Sequence, residues 1–523
     1  VLVLTSAGLI GLALLKPRSC LATSFEEETP RWSTTQIALG AIVALALVWI
    51  ALNSTLFPPF NWDSMTYHLS RVAFWIQNRS IFPYPTNNFR QTQHTPGAEY
   101  LLLIEQLFWF SDIFANWIQL TALVAILGGA YGWLMHWGVP RSVTLSSMIA
   151  VLLAPMVLLQ AQTTQNDLIA AVPVLTIFFL VIDRLLVSKK SSFVSPLTRY
   201  EAVALPIATA VTHLIKPTGI VLAAPFILLL LIPALATVAK DRRSLRTFGA
   251  AMIVAAIAAL PEVIIRHRAF GAFSNSAASL DIHNFGDQLF NSIRHIGDHI
   301  PTKQTSQLLE LMAPWFNTTG KLIVDTAGIS SANEDLAGNV IQIALAALMM
   351  LLLLVSRRFS ALVATGGLII SWILLHAIVH NQPWMSRLQT PWFVMLIGLV
   401  AILYRLMPRT TAAMMVVAAV LNTYNSVELL QAATQHRVQF NRGRIPLTAE
   451  ARYHSYHLRR PRAEVRYTRL KETLTKCEVV AYQSAEDSYD YPVVWAAVRN
   501  NRKVVHHIAA SGIPPQCTLA AAN

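Results

Sequence analysis

The segment Asn61–Thr86 (NWDSMTYHLSRVAFWIQNRSIFPYPT) holds an acid, a phenol, an imidazole and a guanidinium close together. A helix starting near Asp63 places Asp63, Tyr67 and Arg71 at i, i+4 and i+8, on one face. A carboxylate at that position either caps the first helical turn or is a group that does chemistry, as a base. Asp167 heads another apolar run and carries the same two readings, N-cap or second carboxylate. Lys216 and Arg387 are sparse cations in short turns. They suit phosphate, arginine as a bidentate fork and lysine as a point charge; the alternative is an anchor to lipid headgroups or helix carbonyls. Arg90, in the polar run Asn87–Pro96, is a third basic candidate. Trp62, Tyr67 and His68 are candidates for substrate contact. Trp62, Tyr67, Phe74 and Trp75 also fit an interfacial aromatic belt, and a lone interfacial histidine is commonly just a hydrogen-bonding group.

What positions these residues is a membrane. Of 523 residues, 54% are apolar and 13% charged, where a soluble domain has roughly 25% charged. That deficit excludes a water-soluble enzyme, a disordered chain and a disulfide scaffold. Apolar runs of roughly 17–25 residues are long enough to span a bilayer, and they fold as one helical bundle because lipid-exposed backbone must bond within its own helix. The net charge of +13 fits basic cytoplasmic loops facing anionic lipid. No basic stripe with interleaved aromatics points to nucleic acid.

The expected fold is all-α and polytopic, with about 12 transmembrane helices, interfacial helices in the first external loop and a small C-terminal α/β domain. The candidate spans are Gln36–Phe57, Asn116–His136, Ser142–Gln160, Asp167–Leu186, Tyr200–Ile215, Thr218–Thr237, Phe248–Ile265, Asn339–Ser356, Phe359–Val379, Pro391–Tyr404 and Thr411–Val427. Val1–Leu15 reads as the remainder of a further first helix. Residues 1–428 then form the membrane domain and 429–523 a soluble domain, in which Glu478–Gln483, Tyr491–Arg499 and Lys503–Ile508 read strand, helix, strand.

Orientation follows from the short loops. Arg141, the cations of 184–199 and 240–246, Arg357, Arg358, Arg405 and Arg409 fall on one side; Lys216 and Arg387 alone fall in the alternate turns. The first set is cytoplasmic. The loops 58–115 and 267–338 and the tail then lie outside, with Ala98–Phe114 read as an interfacial helix because it carries Glu99, Glu105 and Asp112.

The sequence resembles bacterial membrane glycosyltransferases of the GT-C superfamily, specifically the protein-mannosyltransferase-like and RgtA/B/C/D-like families. The resemblance rests on Trp62-Asp63-Ser64-Met65-x-Tyr67-His68-Leu69, Trp75-x-Gln77-Asn78 and Tyr84-Pro85-Thr86. Further on it includes Gln165-Asn166-Asp167, Lys216-Pro217-Thr218-Gly219, Glu334-Asp335-Leu336-Ala337-Gly338-Asn339 and Gln382-Pro383-Trp384-x-x-Arg387-Leu388. These cover roughly residues 35–400, each in an external turn. The resemblance implies transfer of a sugar from a polyprenyl phosphate to a glycan, lipid or protein acceptor at the outer face of the bacterial cytoplasmic membrane. It implies Asp63 as base, Asp167 as second carboxylate, and Arg387, Lys216 and Arg90 around the lipid phosphate. An aspartate is a weak base at its ordinary pKa of ~3.9, so partial burial raising it would help. His68 would orient Asp63 or touch the sugar. Some members of the superfamily use a divalent metal; Asp63-Ser64 stands where some relatives have paired acids.

Other readings remain open. A transporter or flippase for a lipid-linked glycan suits the span number, but such a protein would place charge at the bilayer midplane and show repeats, and no repeat is evident. A glycan polymerase or ligase is a third. His295, His299 and Asp298 form a conceivable metal cluster, though a solvated loop is the expected reading. Cys477 and Cys517 either pair or stay free thiols.

Overall fold

The computed structural model describes residues 31–187, 193, 195–240, 242–270, 285–300, 302–316, 335–379, 382–440, 445–446, 448–456, 461–485, 487–506 and 513–519. Val1–Leu15 lies outside them. The spans expected from the sequence are helical: α1 (Thr34–Leu56), α4 (Trp117–His136), α5 (Arg141–Leu152), α6 (Asp167–Val187), α7 (Arg199–Ile215), α8 (Pro217–Lys240), α9 (Arg242–Phe270), α11 (Val340–Ser356), α12 (Phe359–Ile378), α13 (Thr390–Leu406) and α14 (Pro408–Phe440). Among the described residues, eight helices are long and apolar enough to cross a membrane, and α5 and α11 are shorter apolar helices. The protein is an integral membrane protein.

Burial separates axis from rim. The most apolar window of α6 is 89% buried and that of the segment containing α13 is 94% buried, against 17% for α1. Helices apolar all round and enclosed form the bundle axis; α1 turns its apolar surface outward to lipid. One expected span is not continuous. Ser142–Gln160 is interrupted at Leu153 and Ala154, and a short helix, Pro155–Gln160, restarts beyond. Pro155 explains the break, since proline suits a helix's first turn and has no N–H for its interior.

The loop after α1 holds a π-helical turn, Ser64–His68, followed by α2 (Leu69–Asn78) and α3 (Gly97–Trp109). The end of α3 exposes Leu107, Phe108, Trp109 and Phe110, as a helix lying in the membrane interface should. Tyr67, Phe74 and Trp75 are buried instead, so the expected aromatic belt around α2 is corrected: these rings pack inside the protein. The start of α3 lies against the last turn of α7, where a Cβ on Gly97 would come within 2.6 Å of the Leu214 carbonyl oxygen. Only glycine allows that approach.

Between α9 and α11, α10 (Phe285–His299) packs against α12. At the C-terminus, α15 (Pro461–Lys476), β1 (Val479–Tyr482), α16 (Asp490–Arg499), β2 (Lys503–His506) and β3 (Thr518–Leu519) form a small unit whose parallel sheet has the order β2-β1-β3. The Cys477–Cys517 disulfide ties the start of β1 to the start of β3.

The C-terminal unit is docked on the first loop. α16 packs on α2 and on the π-helical turn. Gln77 uses its side-chain amide as a strand edge: Nε2 donates to the Val504 carbonyl and Oε1 accepts from the Val504 N–H, both at 2.8 Å. Asn87 donates to the Ser484 carbonyl (2.6 Å), and Gln91 to Asp490 (2.8 Å). Buried backbone and amide groups must be paired, so these bonds fix the unit's position as well as hold it.

Candidate active site

Asp63, Asp167, Lys216, Asp335 and Arg387 come from separate turns and meet. Arg387 lies in the turn Met385–Leu388, before α13; its Nη1 donates to Asp63 Oδ2 and to Asp335 Oδ1, both at 2.7 Å. Its Nε is 3.7 Å from Asp167 Oδ2. Lys216, at the end of α7, donates to Asp167 Oδ1 at 2.5 Å. Arg90 Nη1 is 3.6 Å from Asp63 Oδ1, and its guanidinium lies 5.0 Å over the Tyr67 ring. All three sequence-predicted cations and both predicted acids therefore belong to one cluster.

Neither acid is spent as a helix cap. Asp63 already has helical backbone angles (φ −64°, ψ −36°) and makes no side-chain capping bond. Its carboxylate instead accepts from Tyr67 Oη at 2.9 Å and from Arg387. The first N–H groups of α6 are taken by Gln119, whose Oε1 accepts from Leu168 N (3.0 Å) and Ile169 N (3.1 Å). A glutamine on α4 does the capping, which leaves Asp167 to Lys216 and Arg387.

The expectation that burial raises the pKa of Asp63 is corrected in sign. Burial does push the carboxyl up, but the charges of Arg387, His68 and Arg90 and the Arg387 hydrogen bond outweigh it and hold it well below the ordinary carboxylate range. Asp63 is 7% exposed and ionised. Tyr67 moves the other way: burial and the Asp63 charge push its phenol well above the usual range, so it remains a hydrogen-bond donor.

His68 does not reach Asp63 by a hydrogen bond. Its Nδ1 pairs with Glu99 at 2.7 Å, and its ring lies 4.2 Å from the Tyr67 ring, centroid to centroid. Glu99 is buried, which alone would raise it; the Arg71 charge and the His68 hydrogen bond hold it below the ordinary value. Arg71, expected on the face of Asp63, turns to the loop carrying Arg90 and donates to the carbonyls of Gln91, Arg90 (2.8 Å) and His94 (2.9 Å). It holds that loop in place. Trp62 meets Tyr489 of the C-terminal unit edge to face at 5.3 Å.

Sequence reasoning missed several members. Asp335 was legible only inside a motif, and Gln165, whose Nε2 donates to Asp335 Oδ1 (3.0 Å), likewise. Asp487, which pairs with Arg90 through its other terminal nitrogen, stands out in the sequence only as the start of the stretch Asp487–Trp495, with no role at the site. Glu99 marked only an interfacial helix, and Gln119 carried no signal.

His295, His299 and Asp298 are corrected from a solvated loop to a buried group on α10. His295 pairs with Asp298 at 2.8 Å, while His299 faces α11 and α13. Among the described residues no group of three or more His, Cys, Asp or Glu is arranged to hold a metal ion. At the main cluster, Arg387 sits between the carboxylates of Asp63, Asp167 and Asp335, where a divalent cation would have to be, and Lys216 holds Asp167; the donor set does not fit a metal.

No protein-family model and no curated protein matches the sequence. Two solved structures do resemble the fold. The crystal structure of ArnT from Cupriavidus metallidurans bound to undecaprenyl phosphate is 15% identical, with a TM-score of 0.53 over 93% of this chain and 90% of that one. The apo structure of the same protein is 13% identical, with a TM-score of 0.52 over 93% and 90%. Polytopic bundle, loop helices and terminal sheet together give this chain the fold of ArnT.

Proposed function

We propose that the protein transfers a sugar from a polyprenyl-phosphate-linked donor to an acceptor at the external face of the membrane. The observation that carries this reading is the Asp63–Arg387 pair: a buried carboxylate, unused as a cap, bound to the same guanidinium as Asp335 and flanked by Arg90 and Lys216. The ArnT fold, seen in that protein with undecaprenyl phosphate bound, supports the class of donor. The loop charges support an external site, and the sequence resemblance supports a bacterial cytoplasmic membrane.

The chemistry runs as a displacement at the anomeric carbon. The acceptor hydroxyl oxygen bonds to C1 while the C1–O bond to the phosphate breaks, and that electron pair leaves with the lipid phosphate. Asp63 takes the hydroxyl proton. Arg387, Arg90 and Lys216 stabilise the charge that grows on the departing phosphate. Asp63, too acidic when it holds Arg387, gains basicity when phosphate competes for that guanidinium. Trp62 and Tyr67 line the sugar's approach. The positive charge comes from side chains, and Asp167 keeps Lys216 in place.

The test is turnover in proteoliposomes with a panel of undecaprenyl-phosphate sugars and a membrane extract as acceptor. Acceptor-dependent release of free undecaprenyl phosphate is the expected result. Donor crossing the bilayer unchanged, without release, would replace this reading with transport.

A further inference from the structure

Two turns supply the central contact of the cluster, one bearing Asp335 and the other Arg387, and a single histidine outside the cluster is bonded to both. His299 ends α10 and is 1% exposed. Its Nδ1 accepts from the backbone N–H of Asn339 at 3.1 Å, and its Nε2 pairs with Gln389 Oε1 at 2.5 Å. Gln389 Nε2 pairs with His376 Nε2 at 2.8 Å, and His376 Nδ1 with the Trp372 carbonyl at 2.6 Å.

The two ends of this chain fix every proton in it. A backbone N–H can only donate and a carbonyl can only accept. Asn339 therefore gives to His299 Nδ1, His299 Nε2–H to Gln389, the Gln389 amide to His376, and His376 Nδ1–H to Trp372. Both imidazoles are neutral, each in one tautomer. Burial brings His299 down to about 4, consistent with that state.

Asn339 is in the turn that carries Asp335, and Gln389 lies just beyond Arg387. The turns are also joined directly, since Ser386 Oγ donates to the Asp335 carbonyl at 3.2 Å. Close packing adds to the constraint: a Cβ on Gly338 would come within 3.2 Å of the His299 carbonyl oxygen.

We infer that His299 is a positioning residue, one imidazole that braces the Asp335 turn with Nδ1 and the Arg387 turn with Nε2–H and so sets where Arg387 meets the donor phosphate. This rests on the functional reading above. It assigns His299 no contact with substrate; it acts through Arg387.

Two substitutions split the bonds. His299→Asn keeps an acceptor near the Nδ1 position and loses the donor to Gln389. His299→Gln keeps a donor near Nε2 and loses the acceptor for Asn339. Binding of undecaprenyl phosphate is measured for the wild type, for both variants, and for each variant combined with Arg387→Gln or with Arg90→Gln, alongside the thermal midpoint of each protein. Each single variant is expected to weaken binding by roughly tenfold, the scale of one lost buried hydrogen bond. The loss should vanish in the Arg387→Gln background and persist in the Arg90→Gln background, because Arg90 sits on a separate loop. A loss of equal size in both backgrounds would make His299 merely structural and overturn the inference. No weakening in either single variant would overturn it too. Wild type that does not bind undecaprenyl phosphate, or Arg387→Gln that binds as wild type does, would overturn the functional reading and this inference with it.

Discussion

The carboxylate of Asp63 and the guanidinium of Arg387, 324 positions apart in the chain, meet at 2.7 Å in a buried cluster. The contact has two effects. It keeps a charged carboxylate inside the protein, where an unpaired one would be expensive, and it ties the state of that carboxylate to whatever else binds the guanidinium. On the proposed reading, phosphate at Arg387 would weaken the hold on Asp63.

That linkage has a sign that a pH profile can read. In the free protein Arg387 and Arg90 hold Asp63 below the ordinary carboxylate range, so the acid limb of kcat/KM due to Asp63 should lie below the usual ~3.9. With donor bound, the phosphate offsets the Arg387 charge and the carboxyl rises. The acid limb of kcat should therefore sit at higher pH than that of kcat/KM. Steady-state kinetics across pH measures both, and a limb in the reverse order would contradict the linkage.

The C-terminal unit should detach locally when its strand-edge contact is cut. Gln77→Ala removes both bonds to Val504, at a cost of about 1–3 kcal/mol. Hydrogen exchange should rise in β2 and α16 while the spans remain protected. Uniform exchange with wild type would mean that Gln77 does not dock the unit.

Gly97→Ala should disturb the cluster from a distance. The added Cβ meets the Leu214 carbonyl oxygen, two positions before Lys216, and the contact is with backbone, not with the end of a flexible side chain. Overpacking of this kind costs about 1–3 kcal/mol. A lower thermal midpoint and weaker undecaprenyl phosphate binding are expected; unchanged values would show that α3 and α7 separate freely.

Much of this arrangement is legible in the sequence because membrane spans declare themselves by length and apolarity. Once loop charges set the parity, Asp63, Asp167, Lys216 and Arg387 fall on one side, and a common site follows. What spacing cannot carry is partnership between elements far apart. Asp167 looks like an N-cap until Gln119, on another span, is found bonded to the same N–H groups. Asp63 looks like a base that burial would raise until the cations arrive. His68 is adjacent to Tyr67 in sequence, yet Glu99 claims it. Histidines in a polar stretch read as solvated, and His299 is buried because α10 packs against α12. The C-terminal strands are visible in their β-branched runs, but nothing there announces that Asp487 will pair with Arg90.

The most direct test compares Asp63→Asn with wild type in two assays on the same protein: sugar transfer in proteoliposomes, and equilibrium binding of undecaprenyl phosphate. Turnover should fall by about 10²–10⁴, the usual loss for a positioned base. Binding should be unchanged or tighter, because Arg387 is released from its carboxylate. Turnover near the wild-type rate, or a loss explained wholly by weaker binding, would contradict the assignment of Asp63 as the base.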